Sequence, residues 1–526
     1  MNLKIKWIVL LICIVSFLLP GIVYSFNLGL GYDEGVMFYS SWLTLNGQKL
    51  YGDFFQVMQK TPGVVFTLAP FISTFNNDMN AVIAARAFSL IVKLITGLMI
   101  YGIATRIWNR KAGIWALVFF SLSSIGNAVS GLIWTETFSA FFITLAVYIS
   151  LRYKDNLWKW IISGSCWAAA VLFKQSAVFL LLLFIGIYLI EEYDNIKRKK
   201  TFISRKEWGY SILSTSGLFL LGATLTFVPM IIYLYQHNLW VNFYKMVFDF
   251  NQYHPASASL WRKIGRFLKI MLNNPEVYLL GAIVAVKLVK YKCWRFQKGI
   301  KTESSQDKLT EIIVDEKVKD KGIKVVVLWF ILTLSFSLLI PKETFEHYFY
   351  ESLPALSILL GIGAYFLIEI KSLPRWSKGS ILAGLVAISI LLNIVNPIYN
   401  WNTHSEDQQM VQTIKDYAPN EEIFTDHPKY LFLTGKNQDF YFLASQEKAY
   451  NLAGLNQWEV REIQDPEEYI KNHNITLIII SKDWENLDYF VEHISENIIF
   501  FHTFAILSSS TESTVMLRPI NKTGNT

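Results

Sequence analysis

Charge is scarce in this chain. Asp, Glu, Lys and Arg make up 17% of its 526 residues, where a soluble protein carries about 25%. That shortage excludes a one-domain soluble enzyme and a disordered chain. It also argues against a nucleic-acid partner, which needs a concentrated basic surface. Cysteine is scarcer still: Cys13, Cys166 and Cys293 lie in or beside apolar stretches and form no CxxC pair, zinc spacing or disulfide framework. Glycine-rich phosphate loops are missing, and so is any inverted repeat of the kind many transporters carry. The N-x-S/T triplets at Asn474 and Asn521 matter only in a eukaryotic secretory pathway.

What fills the chain is apolar: 53% of residues are hydrophobic and 15% aromatic. A spanning helix needs roughly 20 apolar residues. Such runs are expected near 7–26, 81–104, 112–129, 132–150, 158–173, 175–191, 208–235, 275–291, 323–341, 352–370 and 379–397, about eleven in all. The first follows Lys4 and Lys6 but no cleavage site of small residues, so it reads as a signal anchor. Residues 62–75 are apolar but too short to span, and they carry Pro62, Gly63 and Pro70; a re-entrant or surface-lying helix is expected there. With that helix left out of the count, the short basic loops fall on one side. They include Lys4/Lys6, Arg106/Arg110/Lys111, Arg152/Lys154/Lys159, the run Lys197–Lys200 and Lys371/Arg375/Lys378. The positive-inside rule then puts the N-terminus in the cytoplasm of a plasma-membrane protein, with 27–80, 236–274, 342–351 and the tail outside.

The tail changes character at about residue 398. Strands are expected at 422–425, 475–481, 498–507 and 514–517, and helices at 405–417 (capped by Ser405), 465–473 and 483–494. This alternation suggests a small α/β domain. Two domains result: an α-helical polytopic membrane domain over 1–397 and an extracytoplasmic α/β domain over 398–526, to which no cofactor is given.

Five polar clusters lie on the outer side of this topology. Asp33 and Glu34, in Gly31-Tyr32-Asp33-Glu34-Gly35, read as a general base for a substrate hydroxyl or, equally, as a solvated loop with Asp33 as a helix N-cap. Lys60 follows Tyr51-Gly52-Asp53 and begins the short apolar helix. A lysine beside a helix N-terminus makes an anion site, although a lysine snorkelling to the interface explains it too. Glu136 opens the fourth run, where a carboxylate near lipid is functional or paired. Arg86 and Lys93, seven residues apart on one face of the second run, either pair with an acid such as Glu136 or line a groove for an anionic substrate. Lys174-Gln175-Ser176 lies between two apolar runs, and Lys342, His347 and Tyr348 precede another. Phe349 and Tyr350 read as aromatic belt, and His237 and His254 as surface histidines.

The order of these motifs resembles the GT-C superfamily of integral-membrane glycosyltransferases: an acidic motif in the first outer loop, Lys-x-Pro, Arg86, Lys174-Gln175, then His347-Tyr348 before Leu353-Pro354. The similarity is to the protein mannosyltransferase and aminoarabinose-transferase (ArnT-like) group, and it covers roughly residues 1–400. It implies a GT-C-like membrane domain and a polyprenyl-phosphate sugar donor. It implies transfer, with inversion, to an extracytoplasmic glycan, lipid or protein hydroxyl. Asp33 matches the family's catalytic acid and Glu34 follows it. Glu136 is the candidate for a second acidic position, Lys60 matches the lysine on the lipid phosphate, and Lys342 and Arg86 are further candidates for that charge. Gln59 stands where some members have a metal-holding glutamate, which argues against a divalent metal. A transporter or flippase of anionic lipids is the alternative, and a non-catalytic envelope scaffold a third reading.

Overall fold

A computed structural model describes residues 21–52, 61–153, 156–199, 205–249, 260–273, 306–339, 346–369, 404–417, 423–425, 428–436, 477–481, 504–508 and 514–519, with scattered positions in 7–19 and 376–391. Its helices are α1 (Tyr32–Leu45), α2 (Gly63–Phe75), α3 (Met79–Ile107), α4 (Arg110–Leu122), α5 (Ser124–Gly131), α6 (Thr135–Arg152), α7 (Trp158–Phe173) and α8 (Leu181–Lys199). They continue with α9 (Arg205–Gln236), α10 (Trp240–Tyr244), α11 (Leu260–Asn273), α12 (Gln306–Leu339), α13 (Leu353–Glu369), α14 (His404–Tyr417) and α15 (Pro428–Thr434). The chain forms two compact units: residues 1–26, 86–231 and 258–400 make the first, and 27–85, 232–257 and 401–526 the second.

Among the described residues five helices are long and apolar enough to cross a membrane: Met79–Ile107, Gln175–Tyr193, Gly209–Gln236, Asp320–Leu339 and His347–Ile368. This is a multi-pass membrane protein. The expected runs at 275–291 and, for the most part, 7–26 and 379–397 lie outside the described residues. Helices α6 and α7, with 18 and 16 residues, are not among these five. The expected span at 112–129 is broken: it is two helices, α4 and α5, bent by 58°, which pass as a span only when taken together. Ser123 makes the break: its backbone leaves the helical region, and its hydroxyl accepts from the Gly126 N–H at 3.2 Å to cap the second piece. Residues 63–75 form a short apolar helix as expected, but Pro62 is its cap and not its first residue. Lys159, read from sequence as a loop cation, is buried in α7 and donates to Glu191 at 2.7 Å, which Lys321 also meets at 3.0 Å.

The first unit is held by helix crossings at small residues, since lipid offers no hydrophobic drive between helices. A Cβ on Gly164 of α7 would lie 2.0 Å from Phe219 O of α9, and one on Gly222 of α9 2.0 Å from Ile161 O of α7. Ser165 then donates across the crossing to Gly222 O at 3.0 Å. Likewise α13 lies on α4, where a Cβ on Gly361 would meet Ala112 O at 2.4 Å.

In the second unit, β1 (Ile423–Thr425), β2 (Leu477–Ser481), β3 (Phe504–Ser508) and β4 (Thr514–Pro519) form a sheet in the order β1-β2-β4-β3. β1 and β2 are parallel, with Ile423 opposite Leu477. β4 is antiparallel to both of its neighbours, with Met516 opposite Ile479 and Leu507. β1, β2 and β4 fall where the sequence pattern puts them, while β3 covers only the end of the strand expected at 498–507, the rest of which lies outside the described residues. The expected helices at 465–473 and 483–494 lie outside the described residues. Helix α14 starts at His404, so Ser405 lies inside its first turn and not at the cap. Helix α15 was not foreseen.

Gly164→Leu is expected to destabilise the protein by about 1–3 kcal/mol through overpacking, while Gly209→Leu, with open space around it, leaves stability unchanged. Thermal unfolding of both variants in detergent measures the difference.

Candidate active site

The acidic motif begins helix α1. Gly31 is its N-cap, in extended backbone. The Glu34 carboxylate turns back to accept from the Gly31 N–H at 3.3 Å, and Glu34 is 1% exposed. The expectation of Asp33 as N-cap is therefore corrected: Glu34 closes the cap from the third helical position, as in a capping box. Asp33 is left half-buried in the first turn, where the positive end of the helix dipole favours a carboxylate. The two adjacent acids thus have different surroundings.

Tyr51, before Gly52, holds a left-handed backbone with φ 67° and is fully buried. Its carbonyl accepts from Asn242 Nδ2 at 3.0 Å, its ring meets Phe243 edge-on, and burial pushes its phenol pKa well up. A bulky residue in that region is strained and persists only when its surroundings fix it. Asp53, Gln59 and Lys60, which follow, lie outside the described residues, as does Lys342.

The first unit gathers four of the predicted residues. Glu136 stands in the first turn of α6, buried, with Oε2 accepting from the Thr135 hydroxyl at 2.9 Å. Lys174, at the end of α7, places Nζ 3.1 Å from Glu136 Oε1 and 3.5 Å from Glu351 Oε2. The ammonium also lies over the Tyr348 ring, 4.9 Å from its centroid. His347 stacks on Trp134 at 4.2 Å and brings Nε2 to 3.9 Å from Glu136 Oε1. Burial alone lowers the Lys174 pKa, but the charges of Glu136 and Glu351 outweigh it, and the net shift is upward. Lys174 is therefore a fixed cation at neutral pH.

Glu351 is the member that sequence reasoning passed over. Its Oε1 accepts from Ser139 at 2.7 Å. Part of the signal was present: Ser139 is three residues after Glu136 on one face of α6, whereas His347 and Glu351 lie in a 3₁₀ turn, Glu346–Ser352, where a spacing of four does not share a face. Phe349 and Tyr350, read as belt residues facing lipid, are instead fully buried, against Phe267 and Phe120. Helix-embedded Arg86 is fully buried and donates to Ser25 O at 3.3 Å, while Lys93 donates to the Asn127 side-chain oxygen. His237 is exposed as expected, and His254 lies outside the described residues. Among the described residues no group of three or more His, Cys, Asp or Glu side chains forms a metal-ligating set.

Comparison with known proteins bears on the fold. Residues 59–233 match the family model described as dolichyl-phosphate-mannose-protein mannosyltransferase. Among solved structures, ArnT from Cupriavidus metallidurans bound to undecaprenyl phosphate aligns over 98% of both chains, with a TM-score of 0.60 and 12% identity. The oligosaccharyltransferase AglB from Archaeoglobus fulgidus aligns over 99% of this chain and 75% of its own, with a TM-score of 0.55 and 10% identity. The chain has the GT-C fold. Arabinofuranosyltransferase AftD from Mycobacteria shares it too, at a TM-score of 0.53 and 12% identity, over 98% of this chain and 40% of AftD. No curated protein matches the GT-C chain in sequence.

Lys174→Met leaves Glu136 and Glu351 buried and facing each other without a cation. It is expected to cost about 3–5 kcal/mol, the usual cost of breaking a buried pair from one side. Adding Glu351→Gln recovers part of that loss, and thermal unfolding of the single and double variants in detergent measures both.

Proposed function

We propose that this GT-C protein is a glycosyltransferase of the cell membrane that moves a sugar from a polyprenyl-phosphate donor to a hydroxyl outside the cytoplasm. The observation that carries the reading is the near full-length likeness to the ArnT structure that holds undecaprenyl phosphate. The family match over 59–233 points to the same donor class.

The chemistry follows from the donor. A sugar joined to a lipid phosphate is already activated, so no nucleotide is needed. The acceptor oxygen attacks the anomeric carbon, and the bond to the phosphate oxygen breaks with its electron pair. The phosphate leaves with one more negative charge than it had in the donor, and the anomeric centre inverts. Asp33 takes the acceptor's proton. It suits that role better than Glu34, whose carboxylate closes the helix cap. Lys60, Lys342 and Arg86 hold the growing charge on the phosphate. Glu136, Lys174, His347 and Tyr348, joined by Glu351, form the polar cluster that binds and orients substrate. No step requires a metal. The N-terminus is cytoplasmic, and the tail beyond residue 398 is the extracytoplasmic domain.

Two predictions test this reading. Purified protein is incubated with labelled undecaprenyl-phosphate hexoses and pentoses and an envelope extract as acceptor. Asp33→Asn is expected to lower transfer by about 10²–10⁴-fold, the usual contribution of a general base; near-wild-type turnover would reject the assignment. Lys60→Ala is expected to weaken donor dependence by about 10–150-fold, matching roughly 1.5–3 kcal/mol for a hydrogen bond to a charged group. Lys60→Arg restores part of this, because the charge is kept while its shape and reach differ. Donor titrations read the effect, and unchanged dependence in Lys60→Ala would move the phosphate contact to Lys342. Facilitated movement of the labelled lipid across vesicles, with no transfer, would favour the flippase alternative.

A further inference from the structure

The second unit contains a buried ion pair that none of the chemistry above uses. Asp407 of α14 is 1% exposed, yet both of its oxygens are engaged. Oδ1 accepts from Lys429 Nζ at 2.8 Å, and Oδ2 accepts from the backbone N–H of Leu30 at 2.6 Å. Leu30 is three residues before Asp33. On the other side of the acidic motif, Gly35 lies directly on α15: a Cβ there would be 2.8 Å from Lys429 Cβ and 2.9 Å from Lys429 N. Lys429 therefore meets the motif directly, through its backbone at Gly35, and its ammonium holds Asp407, which in turn holds Leu30 just before the motif. The contact continues along α1, where Phe38 packs on Phe432 with ring centroids 5.2 Å apart. It extends to the segment before α3, where Asn77 donates to Phe432 O at 3.0 Å.

Two charges buried together lose solvation on both, and a well-packed apolar pair would serve stability as well or better. Their particular use here is directional. A carboxylate can hold an N–H donor and an ammonium at once, at fixed angles, where an apolar contact fixes neither. The object held is the start of α1: Leu30 before the Gly31 cap, and the first helical turn that carries Asp33 and Gly35.

We propose that Asp407 and Lys429 are positioning residues for Asp33, and that the tail is thereby part of the scaffold of the acidic motif and not a separate appendage. The proposal rests on the reading of Asp33 as the base. It requires that disturbing the pair loosens the helix start locally and lowers turnover, with little effect on donor binding.

Hydrogen–deuterium exchange on the full-length protein in detergent tests it. In Asp407→Ala, amides of residues 28–36 are expected to exchange at least about 10-fold faster than in wild type, while those of α6 in the first unit keep their protection. Asp407→Asn retains an oxygen for the Leu30 N–H and falls between the two. It also serves where the alanine variant does not accumulate. Gly35→Ala, whose added methyl presses on the Lys429 backbone while both charged side chains are retained, is expected to give the same local effect. With the labelled undecaprenyl-phosphate sugars, kcat is expected to fall about 10–100-fold, as for a small misplacement of a reacting group, and the donor KM to change less than 2-fold.

Unchanged exchange over 28–36 in both Asp407→Asn and Gly35→Ala overturns the proposal. So does exchange that rises equally in α6, because that is general loosening. If Asp33→Asn keeps full activity, the base assignment fails, and the exchange pattern still decides whether the tail positions the helix start. If Asp33→Asn is inactive while Asp407→Asn and Gly35→Ala both keep wild-type kcat, the base assignment stands and the positioning role falls.

Discussion

A charge taken out of water must be given a partner, and that constraint governs what surrounds each buried polar group described above. The cost of an unpaired charge at membrane depth is several kcal/mol, more than most single contacts return. Lys174 is bracketed by Glu136 and Glu351, Lys159 and Lys321 share Glu191, and Asp407 holds Lys429 together with a backbone N–H. Each set joins segments far apart in sequence. The pairs therefore do more than neutralise charge: they fix which helices meet and at what register, in a bundle where apolar side chains alone would allow sliding.

The same constraint explains what was legible in the sequence. Charged residues inside apolar runs are conspicuous, so Glu136, Lys174 and Arg86 stood out from composition alone. Strands β1, β2 and β4 were also readable, since short apolar runs between polar turns leave little choice. The short helix α2 announced itself through its length and its prolines. What the sequence did not show was partner choice. Nothing local links Lys174 to Glu351, 177 residues away. A hydroxyl such as Ser123, which looks ordinary in an apolar run, turned one expected span into two pieces. Burial of Phe349 and Tyr350 was missed for a related reason. Aromatic residues at the end of an apolar run are equally suited to a lipid interface and to a packed core, and only tertiary packing separates the two.

The tail illustrates the limit most sharply. Its strands could be placed, but its relation to the rest could not, because Asp407 and Lys429 are unremarkable as sequence. An acid and a lysine 22 residues apart in a polar segment normally face water. Their burial shows what the segment does for the fold: it brings a carboxylate to Leu30 and a helix to Gly35. The glycine at position 35 is then required by close approach and not by backbone conformation, which is why its neighbours in the motif alone did not explain it.

Under the proposed reading, these surroundings also sort the three candidate carboxylates by task. Glu34 accepts from the cap of its own helix. Glu136 has one oxygen on the Thr135 hydroxyl and the other on the Lys174 ammonium, with His347 Nε2 beside it. A carboxylate committed on both oxygens is suited to holding other groups in place, because taking up a proton would break an ion pair already formed. Asp33 is half-buried, where Glu34 and Glu136 are buried. A base must be reachable by the acceptor. In the proposed reading Asp33, the most exposed of the three acids, is the one an acceptor reaches, and Asp407 and Lys429 hold the helix start that carries it.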